Sequence, residues 1–225
     1  MGNYYSQSMN ATKLYSVYQT DIERVRQYLD REIEFVQGQL SPDNIVLEMG
    51  AGYGRIMKRL SPGVKFIYGL DISESPAAFG QKYLQQCPNC KLSVSDVYQF
   101  DSKVKFDAVL CLQNGLSAIK GNADRLVETA VRLLKEDGKA IFSSYSDKFW
   151  EVRLAWFQEQ ADKGLIGEID YKSTGDGKIV CRDGFTATTF SFDDMERLGK
   201  ASGFSYTVQE VDESSIFLII KKSFE

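Results

Sequence analysis

Residues 45–60 read Ile-Val-Leu-Glu-Met-Gly-Ala-Gly-Tyr-Gly-Arg-Ile-Met-Lys-Arg-Leu. The apolar, β-branched start, Ile45-Val46-Leu47, has the character of a buried strand. Ile56, Met57 and Leu60 recur at helical spacing, with Arg55, Lys58 and Arg59 on the other, outward face. Gly50, Gly52 and Gly54 stand between, so the stretch reads strand, tight turn, helix. Glycine suits such a turn because the backbone bends sharply and a ligand approaches where a Cβ would block it. The first N–H groups of the helix have no partner within it and face whatever sits in the turn.

The spacing of the glycines separates two kinds of loop. A dinucleotide loop runs G-x-G-x-x-G, but here the position three beyond Gly52 is Arg55. The pattern is instead E-x-G-x-G-x-G, with Glu48 ahead of the first glycine. In that form it resembles the first motif of the class I S-adenosylmethionine-dependent methyltransferases. The resemblance implies a Rossmann-like sheet of seven strands, mostly parallel with an antiparallel last strand, and helices on both faces. It also implies that Glu48, Met49, Gly50, Ala51, Gly52 and Gly54 hold the amino-acid portion of S-adenosylmethionine.

The chain downstream keeps that order. Lys65–Asp71 reads as a second strand ending on an acid, at about the distance from the glycine loop at which a βαβ unit returns a carboxylate to ribose hydroxyls. Asp71 is also placed to favour the N-terminus of the helix opened by Ser73-Glu74. Lys91–Asp96 is a third strand with an acidic end, and such an Asp is otherwise a common turn former. By resemblance, Asp71 meets the ribose, Asp96 and Val97 meet the adenine edge, Ile72 and Val97 flank the ring, and Ser73 is a further cofactor-binding residue. Phe106–Leu112 is nearly all apolar, as in a parallel strand covered on both faces.

Gln113-Asn114-Gly115 follows, where related nucleic-acid amino methyltransferases carry [DN]-P-P-[YF] and metal-dependent catechol-type enzymes carry acids. This chain has neither, so no metal is expected. Leu112 and Gln113 are candidates for the methionine part of the cofactor and Asn114 for a substrate, the two amides suiting either. A helix over 123–135 and a strand over 139–145 complete five βα units, which predict an open parallel sheet with its ligand at the carboxyl ends.

Two segments flank this pattern. Residues 1–40 form a helical arm, with Ile22, Val25, Leu29, Ile33 and Val36 along one face from about Asp21. The resemblance gives such an arm the role of a lid, carried here by Tyr15 and Tyr18. The rest, 41–225, is the methyltransferase domain, interrupted at about 147–190 by an insertion. Phe149–Phe157 reads as a helix, and 166–171 with 178–181 as a hairpin around Gly175-Asp176-Gly177, with a further short strand at 186–190. The insertion roofs a substrate pocket or forms a dimer surface. Tyr145 and Trp150 are candidate substrate contacts or plain core. A helix from Ser191 and an antiparallel pair over 204–211 and 215–221 close the domain.

Composition narrows the function. The 225 residues carry a net charge of −4, with a pI near 5.1, which gives no general attraction to nucleic acid or anionic membrane. No apolar run spans a bilayer and the start lacks a signal-peptide pattern, so a cytoplasmic protein, monomer or homodimer, is expected. Cys87-Pro88-Asn89-Cys90 reads as a turn, not a metal or redox site. The chain contains no His, so any general base is Asp, Glu, Tyr or Lys, or is not needed for an amine that arrives deprotonated. The expected activity is methyl transfer to N or O of a small-molecule acceptor. The rivals are a protein side-chain methyltransferase, a binder that holds the cofactor without turnover, and a nicotinamide oxidoreductase.

Overall fold

The computed structural model describes residues 10–223, so residues 1–9 of the expected arm lie outside the described residues. Asn10 starts a short helix, α1 (Ala11–Val17), by accepting the Lys13 N–H on its side chain at 3.0 Å. The amphipathic α2 follows (Glu23–Gln37), then β1 (Ile45–Met49), the glycine loop and α3 (Arg55–Leu60). Next come β2 (Phe66–Asp71), α4 (Glu74–Tyr83), β3 (Cys90–Val94), β4 (Phe106–Cys111), the single turn α5 (Gly115–Ala118), α6 (Ala123–Leu133) and β5 (Leu134–Tyr145). The expected helix over 123–135 therefore stops at Leu133, and the strand begins at once through Asp137, whose φ is 59°. Cys87 and Cys90 are free thiols across a turn closed by the Cys90 N–H donating to the Cys87 carbonyl at 3.0 Å.

Seven strands form one sheet in the order β3-β2-β1-β4-β5-β9-β8, with β8 (Ser205–Val211) and β9 (Ser215–Lys221) at its far edge. The first five pair in parallel, and β9 runs antiparallel between β5 and β8. From β1 the chain builds outward to β3, then returns to lay β4 on the other side of β1. That reversal leaves a crevice outside the carboxyl ends of β1 and β4, where open α/β sheets bind their ligands.

Alternation along the strands sorts side chains between two cores. Leu47, Met49, Val109 and Phe142 pack with α6 and α8 (Phe192–Ala201), whereas Val46, Ala108, Leu110 and Ile141 pack with α2 and α3. Helices thus cover both faces. α8 starts on a capping box between Ser191 and Asp194.

Residues 147–190 build a third apolar cluster from α7 (Trp150–Asp162), Tyr28, Tyr145, Phe149 and the hairpin β6 (Lys178–Val180) and β7 (Thr186–Thr188). The turn at Gly175-Asp176-Gly177 forms as expected, but the strand pairing with β6 is β7. Residues 166–171 pair more briefly, through the Ile169–Cys181 bridge, with the Asp170 N–H donating to the Val180 carbonyl at 2.8 Å and the Arg182 N–H to the Glu168 carbonyl at 2.9 Å. Ile166 and Ile169 are both buried, three residues apart, and that spacing does not suit a strand whose faces alternate. Among the described residues, no helix is long and apolar enough to cross a membrane.

Candidate active site

A cleft of about 360 Å³ opens at the β1/β4 reversal. Glu48, Gly50, Ala51 and Gly52 line it from the glycine loop, and Asp71, Ile72 and Ser73 from the end of β2. Asp96 and Val97 line it beyond β3, Leu112 and Gln113 beyond β4, and Leu14 and Tyr18 from the arm. The loop is pinned by its own backbone: the Gly50 and Ala51 N–H groups donate to the Leu70 carbonyl at 2.8 and 2.9 Å. Gly54 has φ 84°, and a Cβ there would lie 2.7 Å from Leu84 Cδ1. Gly54 is thus a packing and turn position outside the cleft lining. Gly54→Ala should destabilise the fold by about 2 kcal/mol, from the left-handed backbone and the overlap together; urea denaturation measures it.

Asp71 ties loop to strand. Its Oδ2 accepts the Gly52 N–H at 2.8 Å and its Oδ1 the Ser73 N–H at 2.8 Å. Burial raises its pKa, opposed by those two N–H groups. Asp96 is also a turn former, accepting the Tyr98 N–H at 2.9 Å and Gln99 Nε2 at 3.2 Å while facing the cleft. Beside buried Val97, Ile72 leaves 48% of its surface exposed at the cleft, an apolar face without a protein cover.

Glu48 and Met49 point to opposite faces of β1. Met49 is buried in the core with α6 and α8, so its side chain does not reach the cleft. Glu48 is 3% exposed and turns toward α2 and α3. Its Oε2 has no hydrogen-bond partner, and neither has Arg55 Nη2. Burial pushes the Glu48 pKa up to about 8; Arg55 and the Met57 N–H pull it down, and Asp71 and Glu32 add to the rise. Arg55 is therefore not an outward helix charge: it lines the cleft, with its guanidinium 4.3 Å from the centroid of the Tyr18 ring.

The arm reaches over the loop. Leu14 covers Gly52 so closely that a Cβ there would meet its Cδ2 at 2.9 Å. The segment is clamped to the insertion, where Trp156 Nε1 donates to the Val17 carbonyl at 3.1 Å and Thr20 Oγ1 to Glu159 Oε2 at 2.6 Å. Tyr15 packs on Tyr53 and Phe79 and is outside the cleft lining. Asn114 is buried, donating to the Thr188 carbonyl at 3.0 Å and accepting from Ser144 Oγ at 2.9 Å, so it fastens the insertion to the sheet. Tyr145 and Trp150 are likewise away from the cleft: both contact the guanidinium of Arg153, and Tyr145 also packs on Tyr28 and Phe149.

Residues 46–138 match the family described as a methyltransferase domain. That match spans less than half of the chain, and it agrees with the strand order and with the site at the β1/β4 reversal. A search of curated proteins finds no match. Among solved structures, the methyltransferase fold recurs in the N-methyltransferase NodS from Bradyrhizobium japonicum WM9, solved with S-adenosyl-L-homocysteine. It is 15% identical, covering 98% of this chain and 99% of that one at TM-score 0.60. Magnesium protoporphyrin IX methyltransferase from Synechocystis PCC 6803, with bound S-adenosylmethionine, is 16% identical over 98% and 94%, TM-score 0.64. An S-adenosylmethionine-dependent methyltransferase from Clostridium acetobutylicum ATCC 824 is 18% identical over 95% and 99%, TM-score 0.63. Likeness at this level is likeness of fold.

Two charged groups depart from the sequence expectations: Arg55, expected to face outward, lines the cleft, and Glu32, reaching the tip of β4 from α2, bonds Gln113 of the lining. The spacing Val25, Leu29, Glu32, Val36 already puts Glu32 on the apolar face of its helix, where a charge needs a reason.

Proposed function

We propose that the cleft binds S-adenosylmethionine and that the domain transfers its methyl group to N or O of a small-molecule acceptor. One observation carries the reading: Glu48 and Arg55, which both line the cleft at the glycine loop, each leave a buried side-chain atom, a carboxylate oxygen and a guanidinium nitrogen, without a hydrogen-bond partner. Buried charges without partners are costly, and the ammonium and carboxylate of the cofactor's amino-acid end complement them. The remaining fit is consistent. Asp71 has lone pairs left for two ribose hydroxyls, and the open face of Ile72 suits the adenine ring. The structures solved with S-adenosylmethionine or its product on this fold support the same assignment.

When bound, the cofactor supplies a methyl group made electrophilic by its sulfonium. The chain's own task is then to align a nucleophile and exclude water. Leu14 and Tyr18 narrow the mouth, which supports a small acceptor over a protein side chain. The arm would act as the lid, with Tyr18 its reaching residue and its clamp to α7 keeping it in register.

Glu48 gives the reading a signature in protons. Its folded pKa of about 8 lies above its ordinary 4.5, so stability from this group is full below about 4.5 and is lost as pH rises through about 8. An arriving ammonium favours the ionised form and draws the pKa down. At pH 7, cofactor binding should therefore release close to one proton, and affinity should rise with pH up to about 8. Calorimetry in two buffers of different ionisation enthalpy counts that proton, and Glu48→Gln should abolish it. Identical heats in the two buffers for the wild type would contradict the role of Glu48.

A further inference from the structure

Glu32 on α2 is fully buried, yet the face it shares with Val25, Leu29 and Val36 would accept an apolar residue. Three donors converge on it. Ser143 Oγ donates to Oε1 at 2.5 Å, the Gln113 backbone N–H to the same oxygen at 3.2 Å, and Gln113 Nε2 to Oε2. The Tyr28 hydroxyl lies 3.4 Å from that same Nε2. A carboxylate only accepts hydrogen bonds, so the Gln113 amide must turn its NH2 toward Glu32. Its carbonyl oxygen is then the end left for the cleft that Gln113 lines. The backbone is held to match: Gln113 and Asn114 take φ 56° and 58°, which side chains other than glycine adopt only where the surroundings fix them.

The geometry points to Glu32 as the positioning residue that fixes Gln113 as a hydrogen-bond acceptor for the methyl acceptor, and to an amine as the acceptor class. This rests on the proposal that the cleft binds S-adenosylmethionine. An amine donates an N–H to Gln113 Oε1 and keeps its lone pair free for attack. The lone pair forms the new N–C bond as the S–C bond breaks, with that bond's electrons staying on sulfur. The product leaves as an ammonium, so no proton moves within the site. An alcohol or phenol needs a base, and the charged groups here are engaged: Lys120 lines the cleft with its pKa lowered by burial, but its Nζ donates to the Ser117 carbonyl at 3.2 Å. The chain has no His, and Glu32 already accepts three hydrogen bonds. Asp71 and Asp96 accept from the loop and turn, and Glu48 is matched to the cofactor's ammonium. A carboxylate acceptor would set its lone pairs against the Gln113 oxygen.

The test uses a panel of aryl- and alkylamines, each matched with the alcohol and carboxylate of the same skeleton. In protein loaded with S-adenosylhomocysteine, amines should bind at least about tenfold more tightly than the matched carboxylates. With S-adenosylmethionine, methylated amines should form, and neither ethers nor esters. Glu32→Gln can donate as well as accept and frees the Gln113 amide to turn. It should keep the S-adenosylhomocysteine Kd within about threefold, a small change in binding free energy, and lose the amine preference. Gln113→Met should lose the preference too, which serves if the first variant folds poorly. Transfer to alcohols or carboxylates, no preference in the wild type, or a preference intact in both variants would overturn the inference. A wild type that does not bind S-adenosylhomocysteine would overturn the cofactor reading beneath it.

Discussion

Asp71→Ala should weaken S-adenosylmethionine binding at least a hundredfold while leaving a folded protein. Asp71 holds the Gly52 and Ser73 N–H groups, and in the proposed complex its remaining lone pairs would take the ribose hydroxyls. Hydrogen bonds to a charged group contribute about 1.5–3 kcal/mol each. Losing two ribose contacts thus costs about 3 kcal/mol or more, a factor above roughly one hundred. The loop also loosens, because Gly52 keeps a left-handed φ of 55° with no carboxylate to anchor it. Water in the cleft can take over the freed N–H groups, so the stability loss should stay near about 1–2 kcal/mol. Asp71→Asn should recover little, since its NH2 confronts one of those N–H donors. Titration calorimetry with thermal unfolding as control reads both effects; a Kd within about threefold of wild type would remove Asp71 from the site.

Arg153→Ala should produce the largest loss of stability, about 3–5 kcal/mol, and act on the insertion. The side chain is fully buried. Its Nη1 donates to the Gly177 carbonyl at 3.0 Å and to Thr189 Oγ1 at 2.5 Å, and its Nη2 to the Ala187 carbonyl at 3.0 Å. The guanidinium also lies 4.4 Å from the Tyr145 ring centroid and 5.4 Å from that of Phe157. One planar fork therefore joins α7 to both strands at the open end of the β6–β7 hairpin, and alanine would remove three hydrogen bonds and leave a cavity. Lysine cannot reproduce the fork, so Arg153→Lys should recover less than half of the loss. Guanidinium denaturation gives the energy, and faster amide exchange over residues 178–188 gives the location. Arg153 lies outside the cleft lining, so cofactor affinity should fall less than about tenfold. A destabilisation below about 1 kcal/mol would mean that the insertion is held by other contacts.

The strand-loop-helix at residues 45–60 was legible because its signals are local: β-branched residues, three glycines and a helical period lie in one stretch. The acids ending β2 and lying just beyond β3, and the apolar run of β4, were legible for the same reason, as was the antiparallel pair at the end of the chain. What failed depended on distant partners. Arg55 starts a helix of only six residues that buries Ile56, Met57 and Leu60. Nothing local says that its guanidinium will instead meet Tyr18 from the arm. Of the two readings open for them, Tyr145, the last residue of β5, and Trp150 take the core one, because both contact Arg153 and Tyr145 also packs on Tyr28. The expected pairing of 166–171 with 178–181 forms only around the Ile169–Cys181 bridge, and β7 is the longer partner of β6, because Ile166 and Ile169 supply apolar character without alternation. Met49 could have been separated from Glu48 by the strand period alone, since neighbours in a strand face opposite layers.

Titration of the purified wild-type protein with S-adenosylmethionine and, separately, with NADH tests the central claim most directly. One-to-one binding of S-adenosylmethionine with a Kd of about micromolar order, near −8 kcal/mol, and no binding of NADH are expected. Absence of S-adenosylmethionine binding, or equal affinity for NADH, would contradict that claim and leave the Glu48–Arg55 pair without its ligand.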